Sequence, residues 1–136
     1  MKKSTKKYSC IIIDDDSNGI EVIKEHISLV PKLQLIKSYL NPVEALKKTE
    51  NFKNIDFLFL DINMQISGLD FARLIREHVR FIIFVTGHPE HALQAFQVEA
   101  DHFLSKPIRF TKFLLAINQL LHKRMSSRLR NLSPYS

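Results

Sequence analysis

Three consecutive carboxylates, Asp14-Asp15-Asp16, follow the apolar run Tyr8-Ser9-Cys10-Ile11-Ile12-Ile13. A second apolar run, Phe57-Leu58-Phe59-Leu60, ends in Asp61. Acids gathered in one place repel each other unless protons or a cation offset their charge. An all-oxygen ligand set suits Mg²⁺, which is commonly held by one or two carboxylates together with phosphate. Two further strand ends supply a hydroxyl and an ammonium: Thr86-Gly87 after the fourth run, and Ser105-Lys106-Pro107 after the fifth. One cation, one carboxylate nucleophile, one hydroxyl and one lysine form a coherent set for receiving a phosphoryl group. That reaction needs positioning and neutralised charge more than covalent chemistry. Asp61 would supply the attacking oxygen, with Thr86 and Lys106 sharing the neutralisation.

These residues are far apart in sequence, so the fold must bring them together. Extended apolar runs cover 8–13, 33–40, 55–60, 81–85 and 101–104. Between them the apolar residues fall at helical spacing. Ile20, Ile23, Ile27 and Val30 mark the first helix, and Leu69, Ala72 and Ile75 the third, its stripe broadened by Phe71 and Leu74. Phe110, Phe113, Leu114, Ile117, Leu120 and Leu121 mark the last. Asn41-Pro42 reads as an N-cap followed by proline at the first helical position, and Ser67-Gly68 opens the third helix. Pro89 would start the helix that carries Leu93 and Phe96. Gly19 falls in the first turn of the first helix, where glycine is mildly unfavourable. Strands alternating with helices imply a parallel sheet covered on both faces, and the continuously apolar central runs agree. In such a sheet ligands bind at the C-terminal ends of the strands. Asp14, Asp15, Asp61, Thr86 and Lys106 should therefore converge.

The ordered set Asp14-Asp15, Asp61, Thr86, Phe103 and Lys106-Pro107 resembles a response-regulator receiver domain of bacterial two-component systems. The stretch from Phe84 to Ile108 is similar to the LytR/AlgR type. The resemblance covers roughly residues 8 to 123. It implies a flavodoxin-like (βα)5 fold, a doubly wound parallel five-stranded sheet of strand order 2-1-3-4-5. It implies a basic tail over 1–7, a receiver domain over 8–123 and a C-terminal tail or linker over 124–136. Asp61 resembles the phosphorylated aspartate and Asp15 the direct Mg²⁺ ligand, with Asp14 beside it. Asn63 would offer its backbone carbonyl to the metal, and Lys106 would pair with the phosphoryl group. Lys106-Pro107 would be a cis peptide. Thr86 and Phe103 resemble a switch pair, and Asp16 stands where the family commonly has another acid. His88, two residues after Thr86, lies where an attacking water would approach the phosphoryl group. The implied partner is a histidine kinase or phosphotransfer protein. A homodimer through the fourth helix, fifth strand and fifth helix is implied too, with His91, Gln94, Gln97 and Lys112 as its polar candidates. The family marks a regulatory phosphoacceptor, not a turnover enzyme.

Two departures from the family pattern stand out. The loop Ile62-Asn63-Met64-Gln65-Ile66-Ser67-Gly68 lacks the usual proline and is one residue shorter. It keeps open a degenerate receiver that binds without phosphorylation. An output domain is also missing, so DNA binding and transcriptional control would belong to a part absent from this chain. The chain reads as a stand-alone receiver or a fragment. An Mg²⁺-dependent aspartyl phosphatase of the haloacid-dehalogenase type is a weaker fit, because the acidic pair here precedes the nucleophile. A flavin-binding module needs a Ser, Thr or Gly phosphate cradle where three aspartates stand. Taken alone, Asp14–Asp16 would read as an acidic helix cap.

Composition sets the remaining bounds. The chain has 136 residues, 45% hydrophobic, the size of one domain with a real core. One cysteine, Cys10, cannot form an internal disulfide and reads as a small buried hydrophobe, consistent with a reducing cytoplasm. No apolar segment reaches the length of a membrane span. The net charge of +6 is concentrated at Lys2, Lys3, Lys6, Lys7 and at Lys123, Arg124, Arg128, Arg130. Without interleaved aromatic residues these read as solvated ends rather than a nucleic-acid groove. The six histidines, among them His26, His88 and His91, form no zinc set.

Overall fold

A computed structural model describes residues 7–88, 90 and 100–131, with side chains as far as His122. Five strands run β1 (Tyr8–Ile13), β2 (Leu33–Tyr39), β3 (Ile55–Asp61), β4 (Val79–Thr86) and β5 (His102–Ser105). The helices are α1 (Ser17–Ser28), α2 (Pro42–Leu46), α3 (Gly68–Ile75) and α4 (Phe110–Asn131). The sheet is parallel with order β2-β1-β3-β4-β5, the doubly wound arrangement expected from the sequence. The helix expected after Pro89, with Leu93 and Phe96, lies outside the described residues, as do His91, Gln94 and Gln97.

Strand periodicity divides the core. Cys10, Ile12, Phe57, Phe59, Ile83 and Val85 pack on one face against Ile20, Ile23 and Ile27 of α1 and Phe113, Ala116, Ile117 and Leu120 of α4. Ile11, Ile13, Leu58, Leu60, Ile82 and Phe84 pack on the other, against Ala45, Phe52, Phe71, Ala72 and Ile75. The period of two along a strand delivers this division. Cys10 is fully buried, and burial pushes its thiol up to about 12, so it is inert packing.

Polar side chains set the helix starts. Asp16 caps α1 by accepting from the Asn18 N–H at 3.0 Å. Asn41 caps α2 ahead of Pro42, and Ser67 caps α3 ahead of Gly68. These caps stand where the sequence placed them.

Some expectations need correction. Leu74 does not broaden the α3 stripe: it lies off the Phe71, Ala72 and Ile75 face and is 64% exposed. α2 is only five residues long and is followed by a 3₁₀ turn at Thr49–Phe52 that seats Phe52 in the core. α4 runs on to Asn131, into the stretch over 124–136 expected to be a tail or linker. That extension holds three arginines with Lys123, Met125 and Leu129 and has neither glycine nor proline, so nothing in it breaks the helix.

Strand register levels the functional ends. Ile13 pairs with Leu60, Asp61 with Val85, and Thr86 with Ser105. Asp14, Asp61, Thr86 and Lys106 therefore leave the sheet at one rim.

Candidate functional site

Asp14 and Asp61 are 1% and 6% exposed, an unusual degree of burial for carboxylates. Asp14, Asp15 and Asp61 each offer an oxygen, and these atoms lie within 4.8 Å of one another. Asp15 is exposed at the mouth of the cluster. The Lys106 ammonium stands 2.8 Å from Asp14 Oδ2 and 3.9 Å from Asp61 Oδ2. The Asp16 N–H donates to Asp14 Oδ1 at 2.9 Å. Asp14 Oδ2 is buried with no well-aligned hydrogen bond, only its ion pair with Lys106.

The electrostatics follow from that crowding. Burial, first, and then the Asp14 charge raise the Asp61 carboxyl from 3.8 to about 7, against the opposing pull of Lys106. Burial works against the charge on Lys106, but its close contact with Asp14 and the charges of Asp14, Asp61 and Asp16 outweigh it and raise its pKa. A lone ammonium thus leaves the acids short of positive charge. A hard divalent cation fits this donor set: three carboxylates on one rim, one with a buried oxygen lacking an aligned donor.

The other expected residues lie on β4, β5 and the segments that follow β3 and β5. Thr86 is fully buried at the end of β4, where its hydroxyl accepts from the His88 N–H at 3.2 Å. Its carbonyl accepts from the Lys106 N–H at 2.8 Å, linking hydroxyl and ammonium through one turn. The Lys106-Pro107 peptide is cis. Phe103 pairs with Phe84 across β4 and β5 and packs, partly buried, against the second core. The Asn63 side chain is exposed in the loop after Asp61. That loop closes tightly, with the Gly68 N–H donating to the Ile62 carbonyl at 2.8 Å. A Cβ at Gly68 would collide with the Asp61 carbonyl oxygen, so the shortened loop needs glycine there. Gly19 is explained in the same way. A Cβ there would collide with Asp14 Oδ2 and approach Lys106 Nζ at 3.1 Å.

Sequence reasoning missed two polar clusters away from this rim. Asp56 accepts from the Ser9 N–H at 2.9 Å and pairs with Arg80 at 3.0 Å. Asp101 pairs with Arg76 at 2.7 Å and accepts from the Ile82 N–H at 2.7 Å. It also missed His26, whose Nε2 lies 2.8 Å from the Ile108 carbonyl oxygen.

Fold and rim together define a doubly wound α/β domain with an acidic pocket able to coordinate a divalent cation. The chain belongs to the response regulator receiver domain family, which it matches over residues 10–118. It is 32% identical over 121 residues to an uncharacterized response regulatory protein of Vibrio cholerae, covering 88% of this chain and 51% of that protein. It is 33% identical over 116 residues to the sensory transduction protein LytR of Staphylococcus saprophyticus, covering 81% of this chain and 44% of that protein. Among solved structures it is similar to a chain in the complex of the P1 domain of CheA3 with CheY6 from R. sphaeroides. There the TM-score is 0.74 with 25% identity, covering 86% of this chain and 98% of that one. The chain spans about half the length of the curated relatives it matches. Its acidic cluster is that of a phosphoacceptor domain, and no described helix is long and apolar enough to cross a membrane.

Proposed function

We propose that Asp61 is the residue that accepts the phosphoryl group, from a histidine kinase or phosphotransfer protein, and that Mg²⁺ is the cation. The observation that carries this reading is the buried Asp61 carboxylate held between Asp14, Asp15 and the Lys106 ammonium. Asp14, Asp15, Asp61 and the backbone carbonyl of Asn63 would hold the ion. Bound there, Mg²⁺ would offset negative charge on carboxylates and phosphoryl oxygens. Lys106 supplies a further positive charge. Its distance to Asp61 leaves it free to pair with an incoming oxygen while keeping its hold on Asp14. The buried Thr86 hydroxyl, now accepting from His88, donates to the phosphoryl group and exchanges one partner for another. Phe103 follows that movement toward the space beside Phe84. Such a shift works only through contacts that differ between the two states.

The solved complex of CheA3 with CheY6 supports a phosphotransfer partner. The likeness to the sensory transduction protein LytR supports the LytR/AlgR type. On that reading an output domain would control transcription and the protein would work in the cytoplasm. A homodimer would use β5, α4 and residues outside those described. The domain limits we propose are 1–7, 8–123 and 124–136. Intact-mass measurement with acetyl phosphate and Mg²⁺ tests the central claim. One phosphoryl group should be gained by the wild type and none by Asp61→Asn. A wild type that gains nothing refutes it and revives a receiver that only binds.

A further inference from the structure

We propose that His26 is a positioning residue for Lys106, acting through the turn that follows β5; this rests on the phosphoacceptor reading above. Residues 106–109 join β5 to α4 and carry the lysine of the site. The Ile108 side chain is seated in the core, and hydrogen bonds fix the main chain around it. At its start the Lys106 N–H donates to the Thr86 carbonyl. At its end the Arg109 carbonyl accepts from the Phe113 N–H as α4 begins. Pro107 has no N–H to give. Between them, the Ile108 carbonyl is bonded to His26 Nε2 at 2.8 Å, across 82 residues of sequence.

The partner fixes the proton. A carbonyl only accepts, so Nε2 carries the hydrogen and the neutral ring has Nδ1 bare. Nδ1 is indeed buried without a partner. The ring is wedged against Phe110 and Phe113, with centroids 5.5 and 5.3 Å away, so its orientation is set by packing. His26 also lies seven residues after Gly19, two helical turns along one face of α1. Gly19 faces Lys106 Nζ, and His26 holds Ile108. One helix thus lies close to the Lys106 end of the short segment Lys106-Pro107-Ile108 and holds its Ile108 end. Releasing that hold would let the ammonium drift from Asp14 and Asp61, and displacement of a catalytic group by a fraction of its contact distance slows reaction steeply.

The test measures phosphorylation of the full chain by acetyl phosphate at saturating Mg²⁺. His26→Leu keeps bulk but loses the donor, and loss of one such bond should slow the reaction about fivefold. His26→Gln places an amide N–H near the Nε2 position and should restore the rate to within about twofold of wild type. In a Lys106→Ala background, His26→Leu should add nothing, since it acts through the lysine. A wild-type rate in His26→Leu, effects that multiply in the double variant, or no recovery with Gln would each overturn the proposal. Imidazole nitrogen NMR on the wild type serves if His26→Leu fails to fold. The Nε2–H tautomer is expected, and the Nδ1–H tautomer would overturn it. A wild type that takes up no phosphoryl group instead defeats the parent reading, and the NMR result then judges the tether by itself.

Discussion

Replacing Asp61 with Asn should make the metal-free protein more stable, and the gain should grow with pH. The folded carboxyl ionises near 7 rather than 3.8 because it is buried beside Asp14. Between those values the native state holds a proton that the unfolded chain has released. Stability therefore falls as pH rises from about 4 to about 7, and stays low above that. A displacement of about three units corresponds to a ceiling of roughly 4 kcal/mol. Asp14 and Lys106 readjust when Asp61 changes, so about half that ceiling, roughly 2 kcal/mol, is the working expectation. For a domain of this size that is a rise of about 6 °C in Tm at about pH 8. At about pH 5 only the first third of the interval has been crossed, and the gain shrinks to about 2 °C. Millimolar Mg²⁺ should close the difference by stabilising the wild type through binding. Thermal melts by circular dichroism, with chelator and with Mg²⁺, read all four conditions. A lower Tm for Asp61→Asn at about pH 8, or the same gain at about pH 5, would refute the claim that the clustered acids destabilise this fold.

Lys106→Met should lower the metal-free Tm by about 6 °C, roughly 2 kcal/mol, by leaving the buried Asp14 carboxylate unpaired. Because the pKa of Lys106 is raised, its contribution is complete below about 10.5 and fades at higher pH, so melts in strong alkali should bring variant and wild type together. Gly68→Ala should cost about 1–3 kcal/mol in urea unfolding, since its Cβ would meet backbone at the end of β3; an unchanged midpoint would show that the loop can open. Gly19→Ala gains about 1 kcal/mol of helix propensity but crowds Asp14 and Lys106. Its stability should hold near wild type while Mg²⁺ affinity, read by NMR titration, falls several-fold. His88→Ala should change the rate at which the phosphorylated protein loses its phosphoryl group; identical decay curves would remove His88 from hydrolysis.

The rim was legible because both signals that define it are local. An apolar run of strand length that ends in acid places a carboxylate at a sheet edge without knowledge of any partner strand. Asp14 and Asp61 carried that signal, and Thr86 and Lys106 its counterpart, a polar residue closing a later strand. The sheet order drew on the family resemblance as well as on the alternation of elements. Gly19 was visible as an oddity but could not be explained, since its reason is a side chain from a different strand end. His26 left no mark. At the last turn of an amphipathic helix a histidine reads as a polar boundary, and the carbonyl it holds is 82 residues away. Leu74 misled for the opposite reason: its spacing suited the stripe, but the sheet covers less of α3 than the sequence suggested.

The acids that were missed sharpen what distinguishes the acids that were found. Asp56 and Asp101 are also partly buried, yet each has an arginine and a backbone N–H within hydrogen-bonding distance. Their charges are met by the protein, and they tie the edges of strands together. Asp14 is met in the same way, by Lys106 and the Asp16 N–H. Asp61 differs: Lys106, engaged with Asp14, stands 3.9 Å from it, and it faces Asp14 and Asp15 across less than 5 Å. A carboxylate that only had to stabilise this sheet would have been given a close cation, as Asp56 and Asp101 were. The positive charge missing from the rim is what a bound cation would contribute. The destabilisation expected of the metal-free site is therefore the physical counterpart of its capacity to bind.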